Sequence, residues 1–482
     1  MVNKYFLRQC FVASGFILHG YCAGISISFP SILIPTLLSP NAKEFRITSD
    51  DASWLASCNT ITGLIGFFTL PPIMQKYGRK LINIGTAVIH IIGWLLYIFT
   101  NSVVTLYVAR LTHGLCLGSV YINCVIASEY SDPKRRGYLV AIKKMMGAVG
   151  VLTCHALSLS CTWKQVAIFA IFPCIIIIIT GLYWPESPSY LAMKGKFEEC
   201  KYSFYWLHGK SIEKQDELKI LMAAQTETML KNKRKKSNII IEILYSFRDK
   251  IFLKSFILTT LLILAIDVSG RFYLLTYVIQ IIREIVSDDV TAGYCTIAVD
   301  LLTILASFLS IFLIHNLKRR TVLFSSGIFS GTLMLILSLI LFLKQQYQLD
   351  SYSSIGWSSI CIVILLNFVL YVGLIPVSYN ISGEIFPVEY RGMGPSVSGL
   401  SFMTFYFITM KFTPVIIDGT GLHGMYLIYG LCLLLCILVL YFILPETKDR
   451  TLQDIEDEMK GVNRTAIEVK PMLDNRMEEC AK

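Results

Sequence analysis

The sequence predicts an all-α membrane protein: twelve transmembrane helices in two six-helix halves, with a cytoplasmic helical bundle between them. Three observations carry this. Of 482 residues, 54% are hydrophobic and only 16% are charged, against roughly 25% in an ordinary soluble domain, and mean hydropathy is +0.60. The apolar residues fall into runs of the ~20 residues that a ~30 Å hydrocarbon core requires. Polar signals at the run ends recur six runs apart. A soluble chain of this length needs two or three domains with charged surfaces, which this composition excludes. The 59 Phe, Trp and Tyr residues exclude a disordered chain. The net charge of +10 fits a positive-inside bias better than nucleic-acid binding. The 14 Cys lie mostly inside apolar runs without paired spacing, as packing residues rather than a disulfide framework or zinc site.

The twelve runs lie at about 9–30, 53–73, 81–101, 103–128, 138–160, 164–184, 254–282, 291–314, 321–343, 356–380, 393–417 and 424–444. None alternates with period two, which argues against a barrel. The first opens with Lys4 and Arg8, is too long for a signal h-region and lacks a small-residue cleavage site, so it is kept as a span. Lys and Arg concentrate after run 2 (Lys76, Arg79, Lys80), after run 4 (Lys134, Arg135, Arg136) and after run 8 (Lys318, Arg319, Arg320). The stretch 186–254 holds 14 of the 43 basic residues. Alternate loops carry few, so both termini and the even-numbered loops are expected in the cytoplasm.

Four segments follow: a six-helix half over 1–185, cytoplasmic linker helices over 186–253, a second half over 254–445 and a cytoplasmic tail over 446–482. The linker reads as short amphipathic helices, for example 197–207 and 213–230. The basic run 231–236 resembles a nuclear signal, but in a polytopic chain it reads as a solvated or headgroup-facing stretch.

Three signals repeat in order. Lys76-Tyr77-Gly78-Arg79-Lys80 after run 2 corresponds to Leu317-Lys318-Arg319-Arg320 after run 8. Glu129 is followed seven residues later by Arg136-Gly137, and Glu384 by Arg391-Gly392. Pro185-Glu186-Ser187 after run 6 corresponds to Pro445-Glu446-Thr447 after run 12. Such repetition marks two related halves with a site between them. Glu129, Arg136, Glu384 and Arg391, with Arg79, Arg319 and Arg320, are candidate gating residues, whose opposite charges can pair across the halves and must break in the other state. The alternative is plain retention of topology by snorkelling bases.

With Pro185-Glu186-Ser187-Pro188, Pro445-Glu446-Thr447-Lys448, Arg450-Thr451-Leu452, and Gly383-Glu384-Ile385-Phe386-Pro387 followed by Arg391-Gly392, the chain resembles the sugar porter family of the major facilitator superfamily over nearly its whole length. Lys194-Gly195-Lys196-Phe197-Glu198-Glu199 looks like that family's cytoplasmic bundle. Within the family, the short amino terminus, Gly147, Gly150, Lys411 and Pro414 look most like the insect facilitated trehalose transporters. The resemblance implies facilitative transport of a sugar, trehalose or a hexose, by alternating access, in a multi-pass protein of the plasma membrane. It also implies that Arg110 on helix 4 is paired. Departures are visible. Gln75 stands where the family's first gate motif has an acid and Pro71 where it has Gly, and the second copy has His315 and Lys318.

Sugar recognition uses amides and an aromatic plane. At the positions where the family carries them, this chain has Lys144 on helix 5, Thr303 on helix 8, Tyr379 on helix 10 and Phe402 on helix 11. The helix-7 motif reads Ile266-Asp267-Val268-Ser269-Gly270-Arg271-Phe272. The candidate substrate site is therefore Lys144, Asp267, Arg271, Thr303 and Tyr379. Asp267 and Arg271, four apart, are expected to pair within the helix, with Lys144 in reach of Asp267. Ionisable groups inside a span mark a function by default; the alternative is a structural ion pair in a pocket that binds nothing.

No ATP site is present, since Phe204 replaces the first Gly a P-loop before Gly209-Lys210-Ser211 needs. Gly20-Tyr21-Cys22-Ala23-Gly24 lacks the acid that proton-coupled family members carry, which favours passive transport, with Asp267 and Asp300 as the remaining proton sites. His19, His90, His113 and His155 show no ligand spacing and read as packing or lone hydrogen bonds. The sequons at Asn380 and Asn463 lie in a span and in the cytoplasmic tail. No nucleophile–base pair or metal cluster indicates an enzyme, and no metal or cofactor is expected. The expected partners are a small-molecule solute and the lipid bilayer, not nucleic acid; the sequence specifies no oligomeric state. Two other classes stay open: a transporter of a charged or non-sugar solute, suggested by Lys144 and Asp267, and a non-transporting membrane sensor on the same fold.

Overall fold

The computed structural model describes residues 4–40, 45–131, 136–212, 214–219, 221–222, 245–286, 288–347, 354–386 and 394–447. The described elements are helical throughout. In the amino-terminal half they are α1 (Lys4–Ser28), α2 (Pro30–Leu38), α3 (Ser49–Ser57), α4 (Asn59–Tyr77), α5 (Arg79–Ile98), α6 (Val103–Leu115), α7 (Ser119–Tyr130), α8 (Arg136–Ser158) and α9 (Trp163–Tyr183). Short α10 (Pro188–Met193) and α11 (Phe197–His208) follow. The carboxy-terminal half has α12 (Lys250–Val268), α13 (Arg271–Val286), α14 (Asp289–Asn316), α15 (Arg319–Gln346), α16 (Ser354–Val369), α17 (Ile375–Glu384) and α18 (Gly394–Ile443). The basic run 231–236, most of the predicted helix 213–230 and the tail from 448 lie outside the described residues, as do Lys134, Arg135 and Arg391.

Among the described residues, nine stretches are long and apolar enough to cross a membrane, and the apolar helix Val103–Gly118 is shorter. The difference from twelve runs has local causes. The second run is divided between α3 and α4, and α4 ends with Pro71 and Pro72 inside it. The fourth is interrupted by a 3₁₀ turn at Cys116–Gly118. The eleventh and twelfth merge into α18, which is broken at Gly421, with φ 76°. Its 50 residues would measure about 75 Å at ~1.5 Å per residue, far beyond one bilayer crossing.

The surface is inverted relative to a soluble protein. Large apolar side chains face outward: Phe172, Tyr183, Phe312, Leu438 and Phe442 are among the exposed residues. Asn83, Arg110, His113, Asp267 and Asp300 are buried. In hydrocarbon every backbone group must bond internally, which long helices achieve, and the polar side chains collect between them. α1 lies along α8 and α9, while α15 and α12 lie along α18. The halves meet where α14 packs on α8, α13 on α2, and α18 on α3 and α4.

The α3 entry is pinned by a capping box. Thr48 Oγ1 accepts from the Asp51 amide at 3.1 Å, Asp51 Oδ2 accepts from the Thr48 amide at 3.0 Å, and the Tyr107 hydroxyl donates to Asp51 Oδ1 at 2.8 Å. Thr48→Ala is expected to cost about 1 kcal/mol, read as a lower unfolding midpoint in detergent. The Thr48 side-chain and backbone hydrogen bonds hold the Asp51 carboxyl below its usual range. Its contribution is therefore complete above the unfolded value of roughly 3.9 and fades as pH falls through the lower folded value. The midpoints of wild type and Asp51→Asn should converge on acidification.

Candidate functional site

Helix 7 is not continuous. Gly270 sits at φ 83°, a conformation open to glycine at little cost, and a Cβ there would meet nothing within 4 Å. Backbone geometry, not crowding, selects glycine. α12 ends at Val268 and α13 starts at Arg271. The expected i,i+4 pair between Asp267 and Arg271 is therefore not formed, because the break removes the helical register that would align them. Arg271 Nη1 instead donates to the Tyr379 hydroxyl at 2.9 Å, and its guanidinium lies over the rings of Phe272, Tyr371 and Tyr379 at 4.9, 5.7 and 5.3 Å. Asp267 is fully buried, and neither carboxylate oxygen has a hydrogen-bond partner among the described residues. The expected reach of Lys144 to Asp267 is likewise not seen. Lys144 Nζ lies 5.5 Å from the Tyr379 ring centre.

Tyr379 is thus the meeting point, with Lys144 of α8 contributed by one half and Arg271 of α13 by the other. It stands on α17, which follows a π turn at Leu370–Leu374. Pro376 explains the turn: it brings no amide to an α-helical bond, and the turn widens to accommodate the ring. Thr303 is engaged elsewhere. Its hydroxyl donates to the Val299 carbonyl at 2.8 Å and accepts from the Asn367 amide. Asn367 was not among the sequence candidates; an Asn inside an apolar run was the available signal.

The motif residues form a second polar site, built twice. Glu186 Oε1 accepts from the Arg79 amide at 3.0 Å and the Ser187 amide at 2.8 Å, while Oε2 accepts from the Lys80 amide at 3.2 Å. Glu446 accepts from the amides of Arg319 (3.2 Å), Arg320 (3.3 Å) and Thr447 (3.0 Å). Each glutamate caps the helix that starts at its arginine, satisfying free amides and complementing the positive helix end. Lys80 Nζ donates to the Leu182 carbonyl and Arg320 Nη2 to the Tyr441 carbonyl, both at 2.8 Å.

Arg79 and Glu129 make a bidentate pair at 2.8 and 2.7 Å, and Ser187 Oγ donates to the same carboxylate at 2.5 Å. Arg319 Nη1 donates to Thr447 Oγ1 at 3.0 Å. These contacts do not join one half to the other. The expected pairing across the halves is not what Arg79 and Glu129 do, since each finds its partner on a neighbouring helix of the same half. Arg391 and the side chains of Arg136 and Glu384 lie outside the described residues. Arg110, expected to be paired, donates to the backbone carbonyls of Leu55 (3.0 Å) and Ser26 (2.8 Å). His19, His90 and His113 each bond a backbone carbonyl. His155 does not read as packing alone, because its Nδ1 meets Asp300 Oδ2 at 2.6 Å.

Two half-assemblies with duplicated end motifs and a polar junction between them define a solute-carrier class of membrane protein, and residues 9–459 match the family model described as "Sugar (and other) transporter". The chain belongs to that family. It is 27% identical over 464 residues to the facilitated trehalose transporter Tret1 of Polypedilum vanderplanki, covering 95% of this chain and 89% of that one. It is 28% identical to the facilitated trehalose transporter Tret1-2 homolog of Drosophila simulans, covering 91% and 90%. It spans about half the length (51%) of the Drosophila virilis Tret1. In fold it is similar to the partially occluded inward-open conformation of the xylose transporter XylE from E. coli, with TM-score 0.74, 16% identity, and 93% and 100% of the two chains covered.

Proposed function

We propose that this protein is a facilitative sugar transporter that carries trehalose or a hexose across the plasma membrane by alternating access between two six-helix halves. Nine stretches among the described residues are able to cross a membrane; in this reading α18 counts as two spans about Gly421, and the interrupted second and fourth runs as one span each, which makes twelve. In this reading the halves are 1–185 and 254–445, residues 186–253 form a cytoplasmic bundle, and both termini are cytoplasmic. Glu129, Arg136, Glu384, Arg391, Arg79, Arg319 and Arg320 control the inner side.

The observation that carries the site is the Tyr379 junction, where Arg271 of one half and Lys144 of the other approach one ring. The buried Asp267 carboxyl, without a hydrogen-bond partner among the described residues, is the group a solute hydroxyl or water would satisfy, because such a group is costly in hydrocarbon without a partner. Lys144, Asp267, Arg271 and Tyr379 form the proposed site, with Thr303, held by Val299 and Asn367, joining it only where a solute displaces one of those bonds.

The test is uptake of labelled trehalose and glucose by transporter-null cells expressing the protein. Arg271→Gln is expected to lower uptake at least about tenfold, the equivalent of one lost hydrogen bond or charge contact of ~1.4 kcal/mol. Unchanged uptake in both Asp267→Asn and Lys144→Gln would remove the site assignment. The two cations at Tyr379 favour, as the alternative, a solute carrying negative charge, and organic anions in the same assay distinguish it.

A further inference from the structure

The halves are also joined by a buried hydrogen-bond chain. Ser31 Oγ, on α2, lies 2.9 Å from His155 Nε2, on α8, and His155 Nδ1 lies 2.6 Å from Asp300 Oδ2, on α14. Ser31, His155 and Asp300 are 1, 2 and 4% exposed. The first two belong to the amino-terminal half and the third to the carboxy-terminal half. A second link accompanies it: Lys411 Nζ, on α18, bonds Asp50 Oδ1 at 2.7 Å and Ser53 Oγ at 2.8 Å.

Both contacts join the two halves. Both lie away from the glutamate caps. His155 is 19 residues along α8 from its first residue, Arg136, or about 28 Å at ~1.5 Å per residue, and Arg136 follows Glu129 by only seven residues. The Arg79–Glu129 pair at the motif end stays within one half. The halves are therefore tied at one end of the bundle by bonds that any separation at that end must break.

We propose that His155 and Asp300, supported by Ser31, are positioning residues of the transport cycle: a latch that holds the end of the bundle remote from the motifs shut and opens before solute can enter there. The inference rests on the alternating-access reading. It adds residues that touch no solute but set the balance between the two access states. The chemistry suits the task. A short imidazole–carboxylate bond in a dry interface is strong while formed. It is also a discrete, breakable element between rigid bodies, as a two-state transition requires.

The experiment is hydrogen–deuterium exchange of the full-length protein in lipid nanodiscs, which needs no known solute, paired with the uptake assay. His155→Phe and Asp300→Leu are expected to raise exchange at least about threefold in peptides from α2 and the start of α14. They should lower it around residues 76–80 and 186–190, because opening one end closes the other. Asp300→Asn retains an acceptor for the imidazole and should restore most of the wild-type pattern, as should the exchanged pair His155→Asp with Asp300→His. Where uptake is measurable, the leucine variant should change entry and exit KM in opposite directions. Unchanged exchange, or exchange raised at both ends as in a loosened fold, overturns the latch. Absence of sugar uptake with the exchange pattern intact overturns the substrate reading and leaves the latch standing.

Discussion

Glu129→Ala is expected to destabilise the protein by about 3–5 kcal/mol, the usual cost of stranding one member of a buried ion pair. The Arg79 and Glu129 side chains are only 8% and 14% exposed. Without Glu129, the guanidinium loses both bidentate bonds and Ser187 Oγ loses its acceptor. Thermal unfolding in detergent reads the effect as a large fall in midpoint. The double variant Arg79→Met with Glu129→Leu should fall less than Glu129→Ala alone, because neither side is left charged and unpaired. If the double variant is the worse of the two, the pair's direct attraction, not desolvation, sets the stability of this end.

The second large effect is expected from Gly24→Leu. α1 and α8 form the most extensive helix contact among the described residues, and they cross on small residues. A Cβ at Gly20 would strike the Lys143 carbonyl, at Gly24 the Gly147 carbonyl, and at Gly150 the Tyr21 carbonyl. In a membrane, helices gain little from burying apolar surface and associate through close backbone approach at small residues. Overpacking a tight contact commonly costs about 1–3 kcal/mol, and here the struck atoms are backbone, which cannot rotate away. Gly24→Leu should therefore accumulate poorly as a monodisperse folded species in size-exclusion chromatography, with Gly24→Ala intermediate. Gly85, where a Cβ would meet nothing within 4 Å, is the control, and Gly85→Leu should behave like wild type. Equal behaviour of the Gly24 and Gly85 variants would show that the crossing is loose.

Much of the site was legible and some was not, for identifiable reasons. The duplicated Glu186 and Glu446 were readable because each sits at a fixed offset after its run. That they cap helices starting at Arg79 and Arg319 was not, since the capped amides are 107 and 127 residues away in sequence. Lys144, Arg271 and Tyr379 were named as candidates, and the structure gathers them. Asp267 and Arg271 were misread as a helical pair because spacing alone presumes an unbroken helix. Ser269-Gly270 between them was the local hint, and the φ of Gly270 decided the matter. His155 was read as packing or a lone hydrogen bond with no partner named, because Asp300 lies 145 residues away and shares no local pattern with it.

What the sequence by itself determined is the medium and the repeat. Apolar run length answers to bilayer thickness, loop charge answers to topology, and duplicated motifs answer to duplicated halves, all local or periodic properties of the chain. What only the tertiary structure decided is which charges meet. Arg79 turned to Glu129 within its own half, Arg271 turned from Asp267 to Tyr379, and His155 reached Asp300 across the interface. A buried charge goes to whichever partner the packing brings within about 3 Å, because no solvent is present to screen a poorer choice. That proximity is a property of the assembled helices and is not written at any one place in the chain.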